Sequence, residues 1–228
     1  MQSNHAVCVT FGLIIMLLMF VGCDHTTEPT PINELRPLAV GNYWRYISWN
    51  ISPDLTDTLI VEIINELPLG YNGTNFDAFV ETGYFVNSEP ASWLWIYDNA
   101  SDGLYFFGGV SPTDTLIVKE LWRKYPGQAG ESWLVSLMIY RSLTTFKFEI
   151  ADTQKVDLIA TNEPFETPLG NLRCYVYRYP YPVSDDVFPE WDAFEYYAPG
   201  IGLVGMVVKS RLDGRLLGQR VLYDYRVN

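Results

Sequence analysis

The sequence predicts an all-β fold, an antiparallel meander from two similar halves that forms a half-barrel or a sandwich. Two observations lead to this prediction. Beyond about residue 37 the chain is a succession of segments rich in β-branched and aromatic residues, separated by clusters of Gly, Pro, Asn and Asp. That composition is typical of short strands joined by turns. In addition, several short motifs recur in the same order in the two halves of this region.

Twelve segments have the composition of strands, and hairpin turns are expected between several of them. In chain order the strand segments are NYWRYISWNI, DTLIVEII, FDAFVETGYFV, SWLWIYDN, GLYFFGG, DTLIVKELW, TTFKFEIAD, KVDLIATN, LRCYVYRYPY, AFEYYA, GLVGMVVKSRL and RLLGQRVLYDYRV. Connections with turn composition are SPDLTD, DNASDG and LDGR. No segment shows a convincing helical stripe, although WLVSLMIYRSL could form a short helix.

The internal repeat indicates two halves, residues 37 to 125 and 126 to 228, each a meander of about six strands. Pro-x3-Gly-x2-Trp starts at Pro37 and again at Pro126, and the triplet PLG ends at Gly70 and again at Gly170. Two sheets of the same curvature can close on each other and cover their edges. The alternative is that Pro and Gly recur wherever strands begin in an all-β chain.

Four stretches of this region carry a resemblance to known proteins. PLAVGNYWRY, PGQAGESW, FETPLGNLRCYVY and YYAPGIGLVGM resemble the recurring signatures of a family of bacterial envelope lipoproteins. The resemblance implies an envelope location and no biochemical role. Members often have Lys after Gly-Leu-Val, where this chain has Gly205.

The N-terminus has the pattern of a lipoprotein signal peptide. An uncharged run from Ala6 to Gly22 ends in Val21, Gly22 and Cys23, and this ending resembles the lipobox of bacterial lipoproteins. An apolar core followed by small residues is typical of a secretory signal, and the run is short for a membrane span. The resemblance implies a signal peptide over residues 1–22 and lipid on Cys23. The alternative is an uncleaved anchor helix.

Residues 23–36 are then the lipidated cysteine and a flexible tether, and residues 37–228 are the β domain. The lipid would attach the protein to a membrane of the bacterial cell envelope, facing the periplasm. The choice between inner and outer membrane stays open, with the outer membrane slightly favoured. Asp24 after the cysteine resembles the inner-membrane retention signal of enteric bacteria, a rule that does not hold across all bacteria.

Charge and residue types exclude several functions. The formal net charge of -12 argues against nucleic acid as a partner. The only histidines, His5 and His25, precede the β domain, which excludes His-dependent triads and His-ligated zinc there. No phosphate loop or dinucleotide motif occurs. We therefore predict that the protein is not an enzyme, and we predict no metal site and no cofactor.

Two weaker candidates for chemistry are acidic. The stretch SDDVFPEWDAFE contains Asp185, Asp186, Glu190, Asp192 and Glu195, and two carboxylates suffice for glycoside hydrolysis. Without a defined spacing we interpret it as a solvated acidic loop. DNASDG could offer oxygen ligands to calcium, but it does not match the EF-hand spacing and is better interpreted as a turn.

Cys174 has no predicted partner, because Cys8 would leave with the signal peptide and Cys23 would carry lipid. No disulfide framework is therefore expected. With no histidine nearby in sequence, the thiol is interpreted as a small buried hydrophobe.

The strongest positive signal is the placement of aromatic residues at alternate positions of two strands. Side chains at alternate positions share one face of a strand, and the opposite faces of these two strands are also apolar. Such strands are covered on both sides, either by packed protein or around a ligand. The candidate ligand-binding residues are Trp93, Trp95, Tyr97, Tyr175, Tyr177 and Tyr179.

The sequence therefore favours a non-enzymatic binding or carrier module for an apolar or lipid-like ligand. The alternative is an adhesive or scaffold protein that binds glycan or another envelope protein through an aromatic face. An aromatic-lined cavity would favour the first, an exposed aromatic row the second, and two carboxylates across a cleft a hydrolase.

Overall fold

The computed structural model describes residues 34–50, 52–86, 94–110, 115–141, 147–181 and 191–228. Within these ranges the regular structure consists of twelve β-strands, without a helix. In chain order the strands are β1 (Tyr43–Asn50), β2 (Ser52–Tyr71), β3 (Thr74–Phe85), β4 (Leu94–Ala100), β5 (Gly103–Val110), β6 (Thr115–Lys124), β7 (Ser132–Arg141), β8 (Lys147–Thr167), β9 (Gly170–Tyr181), β10 (Trp191–Ala198), β11 (Gly202–Ser210) and β12 (Leu216–Arg226).

All twelve strands belong to one antiparallel meander, which confirms the predicted fold class. The sheet order is β6-β5-β4-β3-β2-β1-β12-β11-β10-β9-β8-β7. Strands β1 to β6 lie within residues 37–125 and strands β7 to β12 within residues 126–228, and β1 pairs with β12 to join the two sets. The sheet curls into a nearly closed barrel with β6 and β7 at its two edges.

Side chains join the two edges where backbone pairing stops. The indole Nε1 of Trp133 on β7 donates a 2.8 Å hydrogen bond to the carbonyl oxygen of Leu121 on β6. The backbone N–H of Ser136 donates to Glu120 at 2.7 Å, and the Tyr177 hydroxyl donates to the carbonyl oxygen of Lys124 at 2.7 Å. Two of these bonds occupy carbonyls of β6 and the third occupies an N–H of β7, and such edge groups would otherwise be open to pairing with another chain.

Each half also folds one long hairpin across its neighbouring strands. In the first half, Phe76 on β3 contacts Phe107 on β5 with ring centroids 4.3 Å apart, although β4 lies between them in the sheet. Ala78, Ile96 and Phe107 are buried there in a small outer core. In the second half, the ring of Phe165 on β8 reaches across β9 and β10 to β11. Both hairpins therefore cover the outer face of the sheet with protein.

The main core fills part of the barrel interior. Its largest side chains are Trp44 and Tyr46 on β1 and Tyr177 on β9, each no more than 2% exposed. The Trp44 indole donates to the carbonyl oxygen of Ile201 at 2.6 Å, and the Tyr46 hydroxyl donates to that of Leu203 at 2.9 Å. Large aromatic side chains are well suited to this position because their polar tips find partners while their rings fill volume.

Three expectations differ from the structure. WLVSLMIYRSL contains strand β7 rather than a helix, since residues 132–141 pair along β8. SPDLTD lies within β2 rather than in a hairpin connection. Leu35 and Arg36, placed in the flexible tether by sequence, are only 1% and 6% exposed, so the packed domain begins before residue 37. DNASDG and LDGR contain the expected turns.

Among the residues described, no helix has the length and apolarity needed to cross a membrane. The signal peptide, Cys23 and Trp93 lie outside the described residues, as do Asp185, Asp186 and Glu190.

Candidate functional site

The barrel interior contains a cavity of about 200 Å³ beside the main core. Its walls combine aromatic rings with charged side chains from both halves of the chain. The lining residues are Arg36, Tyr46, Val61, Glu81, Trp95, Tyr97, Trp122, Glu195, Tyr197, Leu203 and Arg220.

One wall is a continuous aromatic surface from the first half. Trp95 and Tyr97 alternate with the buried Ile96 on β4, so both point inward while Ile96 packs in the outer core. Their rings lie 5.6 and 5.4 Å from that of Phe106, which lies 5.4 Å from Trp122. These spacings are ordinary for tilted aromatic contacts, and the wall offers flat faces to the cavity.

A buried ion pair joins the N-terminal segment to β3. The guanidinium of Arg36 pairs with the Glu81 carboxylate, and it also lies 4.3 Å from the centroid of the Trp44 ring. Burial lowers the pKa of Arg36, but the Glu81 carboxylate and the neighbouring tyrosines together outweigh burial and raise the pKa above its ordinary value. The segment reaches this position because Gly202 lacks a side chain, since a Cβ there would be 2.8 Å from Arg36 Cγ.

A second buried ion pair links the edge strand β6 to β10 in the barrel interior. Arg123 donates to Oε2 of Glu195 through Nε at 2.8 Å and Nη2 at 2.5 Å. The other carboxylate oxygen, Oε1, accepts a 2.8 Å bond from the hydroxyl of Tyr179. Burial lowers the pKa of Arg123, but the Glu195 carboxylate together with Tyr197 and Tyr179 outweighs burial and raises the pKa. Both oxygens of Glu195 are therefore occupied.

A third guanidinium, that of Arg220 on β12, lines the cavity without a carboxylate partner among the described residues. Its carbon Cζ lies 5.8 Å from the centroid of the Tyr46 ring. Its Nε is buried and has no hydrogen-bond partner within the part of the chain that the structure describes.

The phenols around the cavity are neutral. Burial is the main cause that raises the pKa of Tyr46, Tyr97 and Tyr197 above the ordinary value. At neutral pH these hydroxyls can donate hydrogen bonds, so the wall combines apolar rings with neutral donors.

The predicted ligand-binding residues separate into two groups. Trp95 and Tyr97 line the cavity. Tyr177 is fully buried, with its hydroxyl bonded to Lys124, and Tyr179 is bonded to Glu195. Tyr175 contacts the Tyr125 ring edge-on at 5.1 Å. The tyrosine row of β9 thus packs within the barrel beside the cavity rather than around it.

The acidic residues that the structure describes do not form a cluster. Glu195 lies in the interior, whereas Asp192 accepts a 2.9 Å hydrogen bond from Arg211 near the surface. Asp192 and Glu195 are three positions apart on β10. Positions that are an odd number apart on a strand face opposite sides of the sheet. Among the described residues no group of three or more His, Cys, Asp or Glu is placed to hold a metal ion.

Cys174 is completely buried, as a small apolar side chain would be. Burial raises the pKa of its thiol to about 12. Because the thiolate is the reactive form, this cysteine is inert at neutral pH.

Sequence reasoning missed Arg36, Glu81, Arg123 and Arg220 as interior residues. A signal existed for two of them, because a charged residue interrupts the inward-facing alternation. Glu81 is in phase with Phe79, a core residue on β3, and Arg220 is in phase with Leu222 on β12. Arg36 gave no such signal, because it lies outside any strand.

Comparisons with known proteins found likeness at the level of fold. No model of a protein family matches the chain, and no curated protein sequence matches it. A solved structure of a protein assigned as a lipoprotein from Parabacteroides distasonis has a TM-score of 0.55 and 12% identity, covering 85% of this chain and 99% of that one. A protein assigned as exported, with a YmcC-like fold, from Bacteroides fragilis has a TM-score of 0.50 and 14% identity, covering 84% and 98%.

Proposed function

We propose that this chain is a lipid-anchored protein of the bacterial cell envelope that binds a small molecule inside its barrel and catalyses no reaction. The anchoring part of the proposal rests on the signal pattern that ends at Cys23. It is supported by the two solved structures of similar fold, which come from proteins assigned as a lipoprotein and as an exported protein.

The observation that carries the binding role is the interior cavity between the aromatic wall and the charged groups. Binding sites for small molecules are concave, mostly aromatic or apolar, and contain a few polar groups that orient the ligand. Trp95, Tyr97 and Trp122 supply the first feature, and Arg36, Glu81 and Arg220 supply the second.

The cavity argues for a small ligand rather than a lipid chain. Pockets for drug-sized ligands range from about 300 to 1,000 Å³, whereas this cavity measures about 200 Å³. Four charged side chains line it, and charged groups are poor surroundings for a hydrocarbon tail. Of the ligands that the sequence suggested, a purely apolar one is therefore the less well supported.

The same geometry weighs against the two rival functions. Trp95 and Tyr97 face the interior, so they do not form an exposed row for glycan or a protein partner. Glu81 and Glu195 both line the cavity, as a hydrolase would require, but each is paired with an arginine. A general acid must present its carboxyl group to the substrate, whereas each of these carboxyl groups already faces an arginine.

Native mass spectrometry of residues 24–228 tests the binding role. This fragment contains the whole compact unit of residues 33–228. It would be purified without detergent from a bacterial cytoplasm and from a periplasm. We expect a bound small mass that is lost on denaturation, and that is also lost when Trp95 and Trp122 are changed to Ala.

The matched control is Tyr105→Ala, which removes an aromatic side chain from the outer face and should leave the bound mass in place. A bound mass of lipid size would favour the apolar carrier instead. An empty protein from both compartments, with no ligand found by later screening, would contradict the binding role.

A further inference from the structure

Arg220 differs from every other charged side chain of the cavity because it forms no ion pair with the residues that the structure describes. Glu81 is paired with Arg36 and Glu195 with Arg123. Arg220 makes no ion pair or hydrogen bond with the residues that the structure describes, and its buried Nε has no acceptor. Its Cζ lies 5.8 Å from the centroid of the Tyr46 ring, whose hydroxyl is already bonded to Leu203, and the Glu81 carboxylate acts on it electrostatically without forming an ion pair.

The interior therefore has an excess of positive charge in a strongly acidic protein. Three guanidinium groups, of Arg36, Arg123 and Arg220, face two carboxylates, which leaves one positive charge, while the whole chain has a net charge of -12. Burying a charge without a partner is costly. An anion that enters the cavity would remove that cost.

We propose that Arg220 binds an anionic group, a carboxylate or a phosphate, of a ligand whose flat part packs on Trp95 and Trp122. The inference rests on the proposed function, that the cavity takes a small molecule, and adds the chemical class of that molecule. Arginine suits the task because its planar fork donates two parallel hydrogen bonds to carboxylate or phosphate oxygens. The neutral hydroxyls of Tyr97 and Tyr197 can add further donors.

The arrangement also explains why the two carboxylates do not repel such a ligand. Each is paired with its own arginine, so the net charge that an incoming anion meets in the interior is positive. The aromatic wall then provides the apolar contact that an inorganic ion would not use.

The test is titration of residues 24–228 with benzoate, phenyl phosphate and the neutral benzamide. Calorimetry measures the binding of each probe directly. Tryptophan fluorescence also reports binding, because Trp95 and Trp122 line the cavity. We expect at least one anion to bind about tenfold or more tightly than benzamide, the usual gain from a hydrogen bond to a charged group. Benzoate against phenyl phosphate distinguishes a carboxylate ligand from a phosphate ligand.

Arg220→Gln should abolish the preference for the anion. The matched control is Arg215→Gln, which removes an arginine that is 70% exposed in the turn before β12 and should keep the preference. Without ligand, Arg220→Gln should leave the melting temperature unchanged or higher, because it removes an unpaired charge. A clear drop in melting temperature would mean that Arg220 has a structural partner, and would overturn the proposal.

The outcomes separate the two proposals. If benzamide binds as tightly as both anions, or if a neutral molecule stays bound to periplasmic protein in Arg220→Gln, the cavity binds ligands and the anion site is wrong. If no probe binds at millimolar concentration and the protein emerges empty from both compartments, both proposals fail.

Discussion

Arg123 on β6 and Glu195 on β10 are hydrogen-bonded to each other in the barrel interior, at 2.5 and 2.8 Å. The arginine side chain is completely buried. In sequence the two residues belong to different halves of the chain, and in the sheet β6 is one edge whereas β10 is three strands from the other edge. Their pairing ties the β6 edge of the curled sheet to a strand of the second half with which β6 shares no backbone ladder.

Breaking this pair should destabilise the protein strongly. Glu195→Gln leaves the Arg123 charge buried without its countercharge, which costs about 3 to 5 kcal/mol in unfolding free energy. The double variant Arg123→Met with Glu195→Gln should cost less than the sum of the two single changes. Urea unfolding of residues 24–228 measures all three.

The control for this cycle is the pair Arg45 and Asp224, whose side chains are 43% and 38% exposed. Arg45→Met with Asp224→Asn should show a coupling below about 1 kcal/mol. Additive costs at Arg123 and Glu195 would show that the pair does not act as a unit.

Gly205 should not tolerate a side chain, because the ring of Phe165 occupies its place. A Cβ at this position would lie 2.2 Å from two ring carbons of Phe165. We expect Gly205→Ala to destabilise the protein by about 1 to 3 kcal/mol, the usual cost of overpacking. The resemblance to lipoproteins with Lys at this position would then not extend to the packing here.

The companion variant is Phe165→Leu, which shortens the side chain above the glycine. If the clash is the cause, Gly205→Ala should cost less in the Phe165→Leu background than in the native chain, as measured by thermal unfolding. Gly73→Ala is less suitable as a control, because its φ of +81° would itself add strain.

Asp157 should make stability depend on pH in the acid range. Burial raises the pKa of this carboxyl, but hydrogen bonds from Lys155, Ser132 and Arg178 outweigh it and lower the pKa to about 2. The carboxylate therefore contributes stability above its unfolded pKa of 3.8, and this contribution is lost as pH falls toward 2.

The measurement is urea unfolding of the native chain and Asp157→Asn from pH 7 to pH 2. We expect a difference of about 1 to 2 kcal/mol at pH 7, discounted because two of the partners are partly exposed, that shrinks toward zero near pH 2. The exposed Glu66→Gln serves as the control and should show little difference at any pH. A pH-independent difference would indicate that Asp157 acts through packing alone.

Cys23→Ser should abolish lipidation and leave the N-terminal segment uncut. The prediction follows from the lipobox pattern, in which the cysteine thiol is the acceptor of the lipid. Metabolic labelling with a fatty acid, followed by mass spectrometry of the N-terminus, measures both effects. Cys174→Ser is the matched control, and it should not change labelling because Cys174 is completely buried. Persistent labelling of Cys23→Ser would contradict the anchor.

The positions of strands could be predicted from the sequence where strand composition and turn residues indicate the same boundaries. DNASDG and LDGR mark turns because Asn, Asp and Gly adopt turn conformations at low cost, and the adjacent segments form β4, β5, β11 and β12. The prediction was wrong for WLVSLMIYRSL, because a short apolar run has no period that separates helix from strand. Pairing along β8, a partner made from distant residues, decides that segment.

Within the candidate site, the placement of the aromatic rows was likewise predictable only in part. The alternation of Trp95 with Ile96 and of Tyr177 with Val176 indicates that both faces of each strand are covered. It does not distinguish a ring that lines a cavity from one that fills a core. Tyr177 is packed because the carbonyl of Lys124, at the far edge of the sheet, comes within 2.7 Å of its hydroxyl.

By itself the sequence determined the fold class, because strand composition and turn residues act locally. The organisation that depends on contacts between distant residues was decided only by the tertiary structure. Curling of the sheet brings Arg36 to Glu81, Arg123 to Glu195, and leaves Arg220 without a partner in the cavity. No local pattern contains this information, since the partner of a buried charge is set by which strands meet when the barrel closes.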